Sequence, residues 1–176
     1  AFHRDLDLLG INVINNYELY YKKLRLFFDH IEKNTNKEVI IALHPRTDHA
    51  KYDFGDRKTV IGDTAELMWD ADLAFVHDST SLHYAIIYNK DIILLTNNEI
   101  DSSEIVDNLK KFEYILGLKR LNIDDFDDFE NIYKYTNKEG YPEYMLNNII
   151  SDNVKKNRLG SDIVIESLSE LLKENQ

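Results

Sequence analysis

Apolar and polar positions follow two different periods along this chain, and the changes of period mark its elements. In "YELYYKKLRLFFDHIEKN", residues 17–34, Leu19 or Tyr20, Leu24, Phe27, Phe28 and Ile31 recur at helical spacing among Lys, Arg and Glu. That spacing predicts an amphipathic helix with one buried face. "TNK" breaks the period. "EVIIAL", residues 38–43, is then an uninterrupted run rich in branched residues, the pattern of a strand covered on both faces, and it ends at His44-Pro45.

A polar loop follows, "RTDHAKYDFGDRK", and "TVIG", residues 59–62, is a short strand candidate. "DTAELMWDA" predicts a short helix with Asp63 or Thr64 as N-cap and Glu66 in its first turn. "LAFV" predicts a buried strand, residues 80–88 a helix, and "IILL" a further strand. Short apolar strands alternating with helices imply βαβ units, and right-handed crossovers make them an open, doubly wound sheet. The predicted fold is α/β, Rossmann-like and mostly parallel, with helices on both faces.

After Asn97 the texture changes. "SSEIVDNLKKFEYILG" predicts a helix opened by Ser102 or Ser103 and closed by Gly117. "DDFDDFENIYKYTN" is acidic, aromatic and helical in part, and Pro142 suits the start of another helix, "PEYMLNNIIS". Gly160-Ser161-Asp162 precedes a final amphipathic helix with Ile163, Val164, Leu168, Leu171 and Leu172 on its apolar side. The expected organisation is one domain, with a core at 17–100 and a helical extension at 101–176.

Composition narrows the function. The 176 residues are 43% hydrophobic, enough for one domain with its own core. With no cysteine, neither a disulfide framework nor a thiolate zinc site is available, which fits a reducing compartment and predicts the cytoplasm. A net charge of -11 argues against a nucleic-acid partner, whose phosphates need neutralising cations. No apolar run approaches the roughly 20 residues that cross a bilayer. The opening "AFHRDLDLLG" lacks a starting Met and reads as the interior of a longer chain.

Ligands of open parallel sheets bind beyond the carboxyl ends of the strands, and two polar clusters fall there. His44 stands at one such end, restricted to extended backbone by Pro45, with Arg46 as an adjacent cation. "VHDSTS" carries His77, Asp78, Ser79, Thr80 and Ser81 from a strand into a helix, whose first-turn amides and three hydroxyls suit an anion. The plainer alternatives are Ser79 or Thr80 as an N-cap and His44 as a structural histidine. Two such clusters at neighbouring strand ends favour a ligand crevice.

Other candidates are weaker. His49, Asp53 and Asp56 are too loosely spaced to predict a metal site, and Asp124, Asp125, Asp127 and Asp128 fit a solvated surface. His83 lies within a helix and suits packing as well as function. No GxGxxG or GxxxxGK[ST] occurs, which disfavours dinucleotide binding and P-loop hydrolysis.

"YYKKLRLFFDHIEKNTNKEVIIALHPR" followed by "VIGDTAELMWDADLAFVHDSTSLHYAIIYNKDIILL" resembles the C-terminal, donor-binding half of two-domain GT-B glycosyltransferases that build bacterial capsule, lipopolysaccharide and other surface polysaccharides. The resemblance spans residues 17–100 and is strongest to groups with a His-Pro pair and a later Ser/Thr pair. These include bacterial sialyltransferases and polysialyltransferases and, more distantly, glycerophosphate polymerases of teichoic-acid synthesis. It implies that His44 is catalytic and, with Ser79 and Thr80, holds the phosphate of a nucleotide-activated sugar, CMP- or UDP-linked, with no other cofactor. Thr64 and Glu66 would then touch base or ribose. The acidic base of these families generally lies in the N-terminal half, which also brings the glycan acceptor, and no equivalent is evident here. Peripheral association with the inner face of the membrane would follow for the full-length protein. Two alternatives remain open: a non-catalytic nucleotide-binding regulatory module, for which "IILLTNN" lacks the lysine of a phosphorylated receiver, and a sugar-nucleotide epimerase-like domain.

Overall fold

The helix expected at 17–34 forms as α1, Tyr17–Thr35, in a computed structural model that describes residues 13–44, 52–125 and 132–150. Asn16 caps it, its Oδ1 accepting from the Leu19 amide at 3.0 Å, and Asn36 ends it in the left-handed conformation. Tyr20 rather than Leu19 belongs to the inner face, which also includes Tyr21; Leu19 is 46% exposed. Pro45, Arg46, His49, Asp127, Asp128 and the predicted helix around 163–172 lie outside the described residues.

Among the described residues five strands follow: β1, Ile41–Leu43; β2, Thr59–Ile61; β3, Leu73–Val76; β4, Asp91–Thr96; and β5, Arg120–Asn122. Each pairing among them is parallel, β1 with β2, and β3 with β4 with β5. The fold is thus α/β and Rossmann-like, with its hydrogen-bonded strands in two groups rather than one continuous sheet. β4 is the central strand, and Ile92–Leu95 are buried on both faces, as their unbroken apolar run predicts. β1 departs from expectation: Val39 and Leu43 are buried while Ile40 and Ala42 are exposed, so only one of its faces is covered. A run of branched residues does not distinguish the two cases.

The helices are α2, Thr64–Asp70; α3, Leu82–Ile87; α4, Asn98–Asp101; α5, Val106–Leu116; and α6, Tyr141–Tyr144, which continues into a π-helical turn at Met145–Ile149. Ser102 and Ser103 do not open α5. They close α4, and Gly117 ends α5 with φ +66, as expected. The extension beyond residue 100 is not purely helical, because Arg120–Asn122 add the third strand of the β3–β4–β5 group. Its "RLN" is too short for periodicity to reveal.

Chain direction can be followed along α1. β1 starts beside the C-terminal end of α1, where the Val39 amide donates to Glu32 Oε1 at 3.0 Å. The chain beyond β1 returns at the other end, where Tyr52 and Phe54 meet Tyr21 edge-on with centroids 5.7 and 5.3 Å apart. Residues 53–57 then descend along α1, Arg25 Nη1 donating to Asp53 O at 3.0 Å and Arg57 Nη2 to Glu32 at 2.7 Å. This coil, instead of a helix, is the final part of the connection that brings the chain down to β2. α2, which packs against β1, leads from β2 to β3. Among the described residues no strand pairing joins β1–β2 to β3–β4–β5.

Candidate functional site

The ends of β1 and β3 open at the same end of the fold, and two adjacent tyrosines of α1 join them. Phe27 and Phe28 pack on Phe75 within β3, and one turn or two earlier Tyr20 reaches His77, so α1 runs opposite to β3. It also runs opposite to β1, as the contacts of Val39 and Tyr52 require. Tyr20 and Tyr21 meet edge-on at 5.1 Å, Tyr20 on the β3 side and Tyr21 on the chain beyond β1.

His44 is exposed immediately beyond β1, at this end. Thr64 and Glu66 open α2 beyond β2, Thr64 half-buried and Glu66 exposed; Asp63 occupies the cap position without a side-chain hydrogen bond. His77, Asp78, Ser79, Thr80 and Ser81 form the turn from β3 into α3.

Within that turn each residue has a distinct task. His77 Nδ1 lies 2.9 Å from Leu95 O, an obligate acceptor, so Nδ1 carries the proton and Nε2 accepts from the Tyr20 hydroxyl at 2.8 Å. Burial holds the imidazole pKa down to about 3, and the ring is neutral. Asp78 accepts from Asn108 Nδ2 of α5 at 2.9 Å. Ser79 braces the turn before α3: its Oγ accepts from the Ser81 amide at 3.2 Å and shares a 2.8 Å hydrogen bond with Ser81 Oγ, while Ser81, at the N-cap, makes no side-chain capping bond.

The amides of Leu82, His83 and Tyr84, which the sequence offers as an anion site, point elsewhere. They donate to the carbonyls of Ser79, Thr80 and Ser81 at 3.2, 3.1 and 3.1 Å, because the helix begins as a tight 3₁₀ turn. What remains on the open side is Thr80, exposed, whose hydroxyl and amide make no hydrogen bond among the described residues.

The remaining candidates are structural in their contacts. Asp53 pairs with Arg25 at 2.5 Å and accepts from the Gly55 amide at 3.1 Å, and His83 Nε2 meets the Tyr144 hydroxyl at 3.0 Å. Asp124 holds Lys23 Nζ at 2.8 Å and the Asn98 amide at 3.0 Å, while Asp125 is exposed. Among the described residues no group of His, Asp and Glu is arranged to hold a metal ion. A groove of about 580 Å³ runs between α1 and residues 55–58, away from the strand ends, and its Arg25 and Arg57 are paired with Asp53, Asp29 and Glu32.

Sequence reasoning missed the polar network beyond β4 and β5. Thr96 Oγ1 donates to Asp101 Oδ1 at 2.8 Å, Arg120 Nη1 reaches the same oxygen at 2.5 Å, and Asn122 Nδ2 donates to Asn98 Oδ1 at 2.9 Å. It also missed Tyr20 and Tyr21 as polar groups. The available signal was two adjacent phenols on the buried stripe of a helix, each needing a partner for its hydroxyl. No helix among the described residues is long and apolar enough to cross a membrane. Comparison with family models, with curated proteins and with solved structures finds no match to this chain.

Proposed function

We propose that this chain is the donor-binding half of a glycosyltransferase of bacterial surface-polysaccharide synthesis, acting in the cytoplasm on a nucleotide-activated sugar. The observation that carries the reading is the exposed Thr80 in the polar turn beyond β3, its hydroxyl and amide unpaired among the described residues, with His44 exposed beyond β1, another parallel strand. In this reading the nucleotide phosphate lies against the Thr80 hydroxyl and amide, with His44 donating to the same charge. The acceptor hydroxyl attacks the anomeric carbon, the bond from that carbon to the phosphate oxygen breaks, and the phosphate keeps the electron pair. The acceptor proton passes to a base in the other half of the enzyme. His44 and Thr80 stabilise the charge that grows on the leaving phosphate.

Ser79 supports this site indirectly, by bracing the turn through Ser81, and His77 through its contact with Tyr20. Calorimetric titration with CMP, CDP and UDP tests the proposal. At least one nucleotide is expected to bind, and His44→Ala and Thr80→Ala each to weaken it about tenfold, the worth of a hydrogen bond to a charged group. Absence of binding by all three nucleotides removes the reading.

A further inference from the structure

Two buried side-chain polar atoms among the described residues have no hydrogen-bond partner, Tyr21 Oη and Arg120 Nε. The second is accounted for, since it lies 2.9 Å from Glu113 Oε2 in an ion pair. Tyr21 stands alone. Its side chain is 2% exposed, and its ring is enclosed by Tyr20, Tyr52 and Phe54 at 5.1, 5.7 and 5.3 Å, all edge-on, with Tyr17 stacked at 6.4 Å.

A buried hydroxyl without a partner costs about 1–3 kcal/mol, and native structures rarely keep one without a use. Phenylalanine would fill the same aromatic nest without that cost. The neighbouring tyrosine shows the contrast: Tyr20, equally buried, satisfies its hydroxyl on His77 at 2.8 Å. Location supplies the second part of the case. Tyr21 sits one layer beneath Tyr17, which is 38% exposed, and the half-buried Tyr52, at the end of the fold where β1 and β3 both open.

We infer that Tyr21 is a ligand-binding residue whose hydroxyl donates to an oxygen of the nucleotide bound between the ends of β1 and β3. This rests on the reading of the site given above and deepens it. The ligand is of a class that brings an oxygen acceptor against an aromatic wall, as a nucleotide does with a base carbonyl or a phosphate. Because burial raises the phenol's pKa, the hydroxyl stays protonated and keeps its proton for donation.

The test is Tyr21→Phe, read in two ways. In the free protein its melting temperature should equal or exceed that of the wild type, since the substitution deletes an unsatisfied group. In calorimetry with CMP, CDP and UDP, the nucleotide that the wild type binds should bind the variant about five- to tenfold more weakly. A lower melting temperature would show that the hydroxyl already has a partner, such as a buried water, and overturns the inference. So does undiminished nucleotide binding by the variant, which leaves the wider reading of the site intact. Failure of the wild type to bind any of the three overturns both.

Discussion

The Tyr20 hydroxyl donates to His77 Nε2 at 2.8 Å while the opposite ring nitrogen gives its proton to Leu95 O at 2.9 Å, so one buried imidazole links α1, β3 and β4. Burial disfavours the charged imidazole, and in the neutral ring Nε2 is free to accept from the phenol.

Stability should fall on acidification for this reason. The His77 pKa is depressed from 6.5 to about 3, so between those values the unfolded chain binds a proton that the folded chain refuses. The contribution is fully present above 6.5 and is lost as pH falls toward 3, at no more than about 1.4 kcal/mol per pH unit. Chemical denaturation of wild type and His77→Gln between pH 4.5 and 7.5 isolates the effect: the wild type should lose more stability on acidification than the variant. Equal slopes would remove the assignment.

Ser79 and Thr80 are adjacent, and their substitutions should separate cleanly. Ser79→Ala deletes the acceptor of the Ser81 amide and the partner of Ser81 Oγ, so it should cost about 1 kcal/mol in denaturant unfolding. Thr80→Ala removes an exposed hydroxyl and should change stability by less than about 0.5 kcal/mol. If Thr80→Ala proves the more destabilising of the two, the bracing role does not belong to Ser79.

Arg57 fastens the coil of residues 53–57 to α1. Its Nη2 donates to Asp29 at 2.5 Å and Glu32 at 2.7 Å, its Nη1 to Phe54 O at 3.2 Å, and its guanidinium lies 5.4 Å from the centre of the Phe28 ring. Arg57→Ala is expected to destabilise by about 2 kcal/mol, and Arg57→Lys to recover less than half of that, because an ammonium lacks the planar fork. Urea midpoints of the two variants measure the difference.

Gly140 is held against the end of α5. A Cβ there would lie 2.5 Å from Ile115 O and 2.7 Å from Leu116 Cα, both backbone atoms that cannot swing aside. Gly140→Ala should therefore lower stability by about 1–3 kcal/mol, detectable as a reduced melting temperature. An unchanged melting temperature would mean that α5 and α6 are free to separate.

Much of the framework was legible before any coordinates. Helix α1, the doubly buried β4, the glycine that ends α5 and the proline that opens α6 all follow from period, run length and cap chemistry, which act over a few residues. The places of His44 and the Ser79–Ser81 turn, each immediately beyond a parallel strand, followed from the apolar runs that precede them. Less legible were β5, with three residues and no period, and β1, whose apolar run conceals an exposed face.

By itself the sequence determined which faces are apolar, where elements begin and end, and hence a parallel α/β fold with polar strand ends. Only the tertiary structure decided where the polar groups at those ends direct their hydrogen bonds. Tyr20 finds His77 at a separation of 57 residues, and Lys23 finds Asp124 at 101, while the α3 amides turn back on their own carbonyls. The physical reason is one of range: burial of a face is set by neighbours three or four positions away, whereas a buried hydroxyl is satisfied, or left waiting as Tyr21 is, by whatever the fold brings to it.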